Sequence, residues 1–248
     1  MPCERAVAVG DAELLVREWG TGPATPILFW HGLGADGSGL AARPLGEALG
    51  GAVHLVAPDA PGFGGSPRLA PEGYRGASLA DLATGLLDAL GIERCAFVGE
   101  SWGAWVGCHT AAAAPDRIWR LVLLDGGYTE PADWGARAVR RAALADCVEL
   151  GRSRGVPDAE AWGAAFYATF QPPGVVSTYG AIADACVPVL LLAAGATTDR
   201  VSERALARFR SSLPAADVRV LEGVGHDVLA EPATGAIVAD WLASQPVA

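Results

Sequence analysis

The sequence lacks lysine and asparagine entirely and has only four histidines. Without lysine, a Schiff base, a P-loop phosphate site and a lysine general base are all excluded. Without asparagine there is no acceptor for N-glycosylation. Histidine is the commonest general base in enzymes, and a histidine base can lie at only four positions of this sequence.

Cysteine is scarce and scattered as well. The five cysteines include no Cys-x-x-Cys pair, which argues against a disulfide framework and against a zinc site. The longest apolar runs, such as residues 187–196, are too short to span a membrane, and the first five residues do not resemble a signal peptide. We therefore expect a cytoplasmic protein without a metal, a cofactor or a membrane partner.

The net charge and the chain length indicate which binding partners and how many domains to expect. The chain has 18 basic and 28 acidic residues, a net charge of −10, which disfavours a nucleic-acid partner. Hydrophobic residues make up 51% of the 248 positions, which is enough to build the core of one large globular domain. A small molecule is the expected binding partner, and the oligomeric state is left open.

Short apolar runs alternate with helical patterns along the chain. The runs lie at residues 13–19, 26–30, 53–57, 95–98, 121–124, 187–193 and 218–221. Several are almost wholly apolar, as in parallel strands covered on both faces. The alternation predicts an α/β fold with a mostly parallel central sheet flanked by helices on both faces.

One interval interrupts this alternation. From residue 126 to residue 184 the pattern is helical or irregular, and aromatic residues are spread through it. We interpret residues 126–184 as a helical insertion over one end of the sheet, which leaves 1–125 and 185–248 as the core.

A candidate nucleophile lies in the motif Gly-x-Ser-x-Gly at residues 99–103. Ser101 follows an apolar run and precedes a helical pattern, which is the strand-turn-helix setting in which this motif exposes a serine hydroxyl. A second match, around Ser153, follows a helical stretch and has no strand before it. Context therefore favours Ser101, and a solvated turn is the simpler explanation of Ser153.

A serine nucleophile needs a base, which in turn needs an acid to orient it. His226 follows the last predicted strand in a glycine-rich loop, whereas His54 and His109 lie in a strand and a helix, where packing roles are expected. Asp199 gives the chain order Ser101, Asp199, His226 that is typical of the nucleophile-elbow fold. Asp125 is the alternative acid, because it ends a strand that points to the same crevice.

The oxygen that becomes negative in the transition state needs donors already aimed at it. The expected donors are the backbone N–H groups of Trp102, directly after the nucleophile, and of Leu33, in the His-Gly-Leu-Gly segment that follows the run ending at Trp30. His31, in the same segment, is better placed to shape a loop than to accept a proton.

The same loop allows a competing interpretation. Residues 32–37 fit Gly-x-Gly-x-x-Gly, and Asp59 ends the next strand, as in a dinucleotide site. His31 directly before the glycines, the glycine-rich stretch 61–66 and the strand-like sequence before residue 26 all count against it. A Tyr-Lys hydride-transfer catalyst is excluded because lysine is absent.

Five segments in order, at residues 31–34, 59–66, 99–103, 195–199 and 225–232, resemble the α/β-hydrolase family over nearly the whole chain. The resemblance implies Ser101 as nucleophile, His226 as base, Asp199 as acid, and Leu33 and Trp102 as oxyanion donors. It also implies that residues 126–184 form the helical cap that governs substrate choice. Asp199 lies one position later after Gly195 than in many members of the family, which keeps Asp125 open as the acid.

From this resemblance we expect a serine hydrolase that cleaves an ester-type bond through an acyl-enzyme. A serine at the elbow disfavours the aspartate-nucleophile and cysteine-nucleophile branches of the family. We expect a small or medium apolar or aromatic substrate, in a pocket formed by Trp30, His31, Trp105, Trp134, Trp162 and Phe166. Lactone, thioester and carbon–carbon bond hydrolysis remain alternatives, as does a ligand-binding protein without turnover.

Overall fold

The computed structural model describes residues 2–22, 26–33, 37–50, 53–130, 133, 137–171, 174–196 and 203–244. Within them the seven apolar runs and one further strand at the sheet edge form an eight-stranded sheet. Its strands are β1 (Cys3–Val9), β2 (Ala12–Trp19), β3 (Ile27–Trp30), β4 (Leu55–Pro58), β5 (Cys95–Glu100), β6 (Ile118–Leu124), β7 (Val189–Ala194) and β8 (Asp217–Leu221).

The strands lie in the order β1-β2-β4-β3-β5-β6-β7-β8. Strands β1 and β2 pair antiparallel, β2 and β4 also pair antiparallel, and all later pairings are parallel. The mostly parallel sheet is thereby confirmed. The sequence analysis missed β1, because this edge strand exposes most of its side chains and has no long apolar run.

Helices cover both faces of the sheet. They are α1 (Ser38–Ala41), α2 (Arg43–Leu49), α3 (Gly76–Ala89), α4 (Trp102–Ala113), α5 (Arg137–Ser153), α6 (Ala159–Ala168), α7 (Tyr179–Asp184), α8 (Glu203–Ser212) and α9 (Pro232–Ala243). No helix in the described residues is both long and apolar enough to cross a membrane.

Successive side chains of the central strands point to opposite faces of the sheet and so contribute to two separate layers of the core. In β5, Cys95 and Phe97 face the layer that contains α3, α4 and α8, whereas Ala96 and Val98 face the layer that contains α2 and α9. All six residues of β5 are buried. A strand covered on both faces has no polar alternation, which explains its nearly continuous apolar run.

Helices α5, α6 and α7 lie between β6 and β7, in the interval that the sequence pattern marks as an insertion. Helix α6 begins at an N-cap, Asp158, whose carboxylate accepts the N–H of Ala161 at 3.0 Å. A Cβ on Gly163 would lie only 2.6 Å from the Cα of Val148, so glycine allows α5 and α6 to approach closely. The described part of residues 126–184 contains no strand.

Candidate active site

Ser101 lies at the sharp turn between β5 and α4. Its backbone has φ 52° and ψ −109°, a conformation that non-glycine residues rarely adopt. Its N–H donates to the Leu124 carbonyl oxygen at 2.8 Å, which ties the turn to the end of β6. Strain of this kind persists only where the surroundings enforce it and is common at functional sites.

The glycines around Ser101 are required by close backbone contacts. A Cβ on Gly99 would overlap the Gly103 carbonyl group, and a Cβ on Gly103 would overlap the carbonyl oxygen of Trp30. A Cβ on Gly126 would overlap the backbone of Ser101 itself. The motif therefore has a steric explanation, because the turn is packed against β3 and against the end of β6.

Both ring nitrogens of His226 are hydrogen-bonded to other predicted site residues. Nε2 lies 2.8 Å from Ser101 Oγ, and Nδ1 lies 2.6 Å from Asp125 Oδ2. With the ring hydrogen on Nδ1, His226 donates to the carboxylate and accepts from the serine hydroxyl. The structure thus brings Ser101 and His226 together, as expected from the sequence.

The carboxylate beside His226 belongs to Asp125, the alternative acid. Asp199, the preferred acid, lies outside the described residues. Asp125 is 4% exposed and follows β6 directly, in a backbone conformation with φ 43°. Among the described residues, Asp125 accepts the hydrogen bond from His226 that an orienting acid would accept.

The second oxygen of Asp125 is also fully engaged. Oδ1 accepts the backbone N–H of Ala194 and the hydroxyl of Tyr128, each at 3.0 Å. The sequence analysis did not identify Tyr128. Its position three residues after a candidate acid is the only signal that the sequence offered.

Glu100, directly before the nucleophile, is a second buried acid that the sequence analysis missed. It is 9% exposed, and the Gly32 backbone and the Asp227 side chain both act on its carboxyl group. Burial, followed by the negative charge of Asp227, raises the pKa of Glu100 to about 8. With a pKa raised in this way, the Glu100 carboxyl favours the protonated form at neutral pH.

The predicted oxyanion donors belong to the residue after Ser101 and to a loop that reaches Ser101. Trp102 is the first residue of α4, so its N–H has no acceptor within the helix. The loop before Leu33 also reaches Ser101, since a Cβ on Gly32 would lie 3.2 Å from Ser101 Cβ. Leu33 is half-buried and ends this described segment, because residues 34–36 lie outside the described residues.

His31 holds this loop in place, as its position in the sequence suggests. Its Nδ1 donates to the Gly32 carbonyl oxygen at 2.8 Å, and its Nε2 accepts the Ala60 N–H at 2.9 Å. Burial lowers the pKa of His31, so the ring is neutral. His31 is completely buried and therefore acts as a structural link between two loops.

Two other histidines have roles in packing or in pairing. Burial lowers the pKa of His109 to about 4, and its ring centroid lies 4.3 Å from that of Trp105. His54, directly before β4, has its Nε2 2.6 Å from Oε2 of Glu18 in the neighbouring strand β2. Neither residue contacts Ser101 among the described interactions.

Asp59, the acid in the dinucleotide interpretation, is buried and engaged by protein groups. Its carboxylate pairs with the Arg17 guanidinium and accepts the backbone N–H of Ser38 at 2.6 Å and that of Gly65 at 2.9 Å. A ribose hydroxyl would have to displace these donors. The contacts therefore weigh against the dinucleotide interpretation.

Aromatic side chains from the core and from the insertion pack together beside the elbow. We call this set the aromatic cluster; its members are Phe63, Tyr74, Trp102, Trp105, Trp162, Phe166 and Phe170. Phe166 is fully buried, with its ring centroid 6.0 Å from that of Trp102 and stacked 4.8 Å from that of Trp162.

Three of the six predicted pocket residues, Trp105, Trp162 and Phe166, belong to the aromatic cluster. Trp30 is fully buried in β3 and His31 holds the loops, while Trp134 lies outside the described residues. The sequence analysis missed Phe63 and Tyr74, which come from the loop after β4, because lone aromatics in a loop give no periodic signal.

A small cavity of about 10 Å³, roughly the space of one water molecule, lies beside the cluster, between the loop after β4 and the insertion. It is lined by Pro61, Gly62, Phe63, Arg68, Tyr74, Leu150, Arg154 and Trp162. The Arg154 guanidinium lies 4.7 Å from the centre of the Phe63 ring, and Arg68 Nη1 donates to the Arg154 carbonyl oxygen at 2.9 Å. The cavity thus combines aromatic walls with two positive charges.

The comparison with known families agrees with this architecture. The model of the alpha/beta hydrolase family matches residues 27–239, which include the whole parallel part of the sheet. The chain belongs to the alpha/beta hydrolase family.

Individual curated relatives match only part of the chain. Over 132 residues the chain is 34% identical to a 2-hydroxy-6-oxononadienedioate/2-hydroxy-6-oxononatrienedioate hydrolase from Paraburkholderia phymatum, covering 52% of this chain and 46% of that protein. The chain thus matches about half the length of this curated relative.

Two solved structures resemble nearly the whole chain. A haloalkane dehalogenase from Bradyrhizobium elkani is 23% identical with a TM-score of 0.75, covering 98% of each chain. An E-2-(acetamidomethylene)succinate hydrolase is 25% identical with the same TM-score of 0.75 and also covers 98% of each chain. Likeness at this level of identity supports the fold.

Proposed function

We propose that this chain is a serine hydrolase in which Ser101 is the nucleophile, His226 the general base and Asp125 the orienting acid. The observation that carries the proposal is the pair of hydrogen bonds from one imidazole, 2.8 Å to the serine and 2.6 Å to the aspartate. These distances fall within the range over which a base can take a proton from a nucleophile.

The proposed reaction has two halves. As Ser101 Oγ bonds to the acyl carbon, its proton passes to His226 Nε2 and the carbonyl electrons move to the oxygen. When the tetrahedral intermediate collapses, Nε2 returns that proton to the leaving group and an acyl-enzyme remains. Water then attacks with the same base, which releases the acid and restores Ser101.

Asp125 and the oxyanion donors stabilise the charges that form. The carboxylate of Asp125 holds the Nδ1–H tautomer and stabilises the imidazolium. The N–H groups of Trp102 and Leu33 are the proposed donors to the oxyanion, and Trp102 suits this role because its N–H is free of an intrahelical acceptor.

The substrate is proposed to be a small or medium apolar or aromatic molecule. Residues 126–184 then act as a cap, because α6 contributes Trp162 and Phe166 to the aromatic cluster beside the elbow. Aromatic walls favour flat or apolar acyl groups through buried contact area.

Carbon–carbon bond hydrolysis on the same residues is the second candidate. It is favoured by the name of the curated relative, which acts on a dienedioate. Arg68 and Arg154, which line the small cavity beside the aromatic cluster, are the proposed positive partners of a substrate carboxylate. Lactone and thioester hydrolysis need the same three side chains and remain alternatives for the substrate panel.

Covalent labelling tests the proposal. Treatment with a fluorophosphonate is expected to add one adduct mass to the wild type and to Ser153→Ala, and none to Ser101→Ala. Ser153 is the matched control because it lies in the second Gly-x-Ser-x-Gly sequence, is exposed and only donates to the Leu150 carbonyl oxygen. An unlabelled wild type would favour a ligand-binding protein without turnover.

A chromogenic panel then separates the substrate classes. Esters, thioesters, lactones and vinylogous diketones, each with and without a carboxylate, are assayed with the wild type and Arg154→Gln. Faster turnover of the diketones, with a KM that rises in Arg154→Gln only for the members that carry a carboxylate, would favour carbon–carbon hydrolysis. Turnover of neutral esters alone would favour the esterase.

A further inference from the structure

Tyr128 contacts the proposed acid from the side opposite His226. Its side chain is 2% exposed, and its hydroxyl donates to Asp125 Oδ1 at 3.0 Å. The other oxygen, Oδ2, is the one that faces His226 Nδ1. Two donors on Oδ1, the hydroxyl of Tyr128 and the N–H of Ala194, therefore define the plane of the carboxylate.

The segment that contains Tyr128 is itself held by side chains from the helices beyond it. The Tyr128 carbonyl oxygen accepts from Arg208 Nη2 at 3.2 Å, and the Arg208 guanidinium makes two hydrogen bonds, of 2.7 and 2.5 Å, with the Asp133 carboxylate. Arg208 lies on α8, whose buried residues pack in the same core layer as α3 and α4. The hydroxyl of Tyr128 is thus presented to Asp125 from a fixed backbone.

A carboxylate can rotate about its bond to Cβ, and in doing so it would turn Oδ2 away from the imidazole. The Ala194 N–H restrains this rotation through Oδ1, and the Tyr128 hydroxyl, as a second donor to the same oxygen, restrains it further. A phenol is well suited to this role because burial and the neighbouring Asp125 charge raise the pKa of Tyr128, so the phenol keeps its proton.

We propose that Tyr128 is a positioning residue, whose hydroxyl orients the Asp125 carboxylate so that Oδ2 faces His226. This inference rests on the proposed function, in which Asp125 orients the base. Tyr128 acts through Asp125 and does not contact the reacting atoms. The structure also offers a matched control, because the buried hydroxyl of Tyr179 donates to the Gly127 carbonyl oxygen at 2.9 Å and does not reach Asp125.

Tyr128→Phe and Tyr179→Phe each remove one buried hydroxyl and keep the ring. In the control, the Gly127 carbonyl oxygen keeps a contact with Cys108 Sγ at 3.6 Å. The first readout is the proton NMR resonance of the hydrogen between His226 Nδ1 and Asp125, assigned by its loss in His226→Gln. We expect it to move upfield and to exchange faster with water in Tyr128→Phe, and to stay in place in Tyr179→Phe.

The second readout is the rate of fluorophosphonate labelling at Ser101. We expect it to fall about tenfold in Tyr128→Phe, since the loss of one buried hydrogen bond has an effect of this order. An unchanged resonance, or one that moves downfield, would overturn the inference. If the wild type is not labelled, the proposed function fails, but the NMR comparison still decides whether Tyr128 orients Asp125.

Discussion

Glu100→Gln replaces a carboxyl group whose pKa lies well above its ordinary value. Glu100 is 9% exposed and lies beside Asp227. The pKa of Glu100 rises from an ordinary 4.5 to about 8, first because burial disfavours the charged form and then because Asp227 and Asp125 repel it. Glutamine reproduces the shape of the protonated carboxyl and cannot ionise, so the variant removes this titration and little else.

The sign of the effect follows from linkage. A group whose pKa is higher in the folded than in the unfolded protein adds stability that is complete below about pH 4.5 and is lost as the pH rises through about 8. A rise in pKa from 4.5 to about 8 corresponds to at most roughly 5 kcal/mol of unfolding free energy. We therefore expect wild-type stability to fall over this window and Glu100→Gln to lose most of that dependence.

Urea unfolding, followed by circular dichroism from pH 5 to pH 9, measures this difference. Glu222→Gln is the control, because Glu222 is an exposed glutamate in the loop after β8. The control is expected to follow the wild type at every pH, whereas Glu100→Gln becomes relatively more stable toward pH 9. Parallel curves for wild type and Glu100→Gln would refute the assignment of Glu100 as a buried, protonated acid.

Two further variants test the packing around the site. Gly103→Ala places a Cβ against the Trp30 carbonyl oxygen, so we expect the protein to become insoluble or to lose several kcal/mol, on the order of 3, of its free energy of unfolding. The control Gly180→Ala, on α7, meets open space and should be neutral or stabilising by up to about 1 kcal/mol. A folded Gly103→Ala variant with wild-type stability in urea would contradict the described turn at Ser101. Phe166→Ala empties the centre of the aromatic cluster, and a loss of about 3–5 kcal/mol in urea unfolding is expected. A loss below about 1 kcal/mol would show that the insertion is not packed on the core through this residue.

The central strands could be predicted from the sequence because burial on both faces leaves a visible trace. The apolar runs at 95–98, 121–124 and 187–193 form most of β5, β6 and β7, and their ends lie within a few residues of the strand ends. Strand β1 could not be found in this way, since most of its side chains face solvent. Ser101 and His226 were predictable because the turn at Ser101 requires flanking glycines and the choice of histidines is small.

The acid was harder to predict because several strands end at the same edge of a parallel sheet. Chain order favoured Asp199, but the choice depends on which carboxylate reaches Nδ1 of the imidazole, and that depends on loop geometry which no local pattern specifies. Glu100 and Tyr128 escaped detection for a related reason. Their roles arise from burial and from contacts across the site, to Asp227 and to Asp125 respectively.

The claim that Ser101, His226 and Asp125 act as one unit is tested most directly by fluorophosphonate labelling rates of Asp125→Asn beside Asp199→Asn. An amide cannot accept the Nδ1 hydrogen as a carboxylate does, and the wrong tautomer then costs a factor on the order of 10⁴ in rate. The account predicts a loss approaching this size for Asp125→Asn and a rate close to wild type for Asp199→Asn. Greater damage from Asp199→Asn, with Asp125→Asn labelled at the wild-type rate, would contradict it.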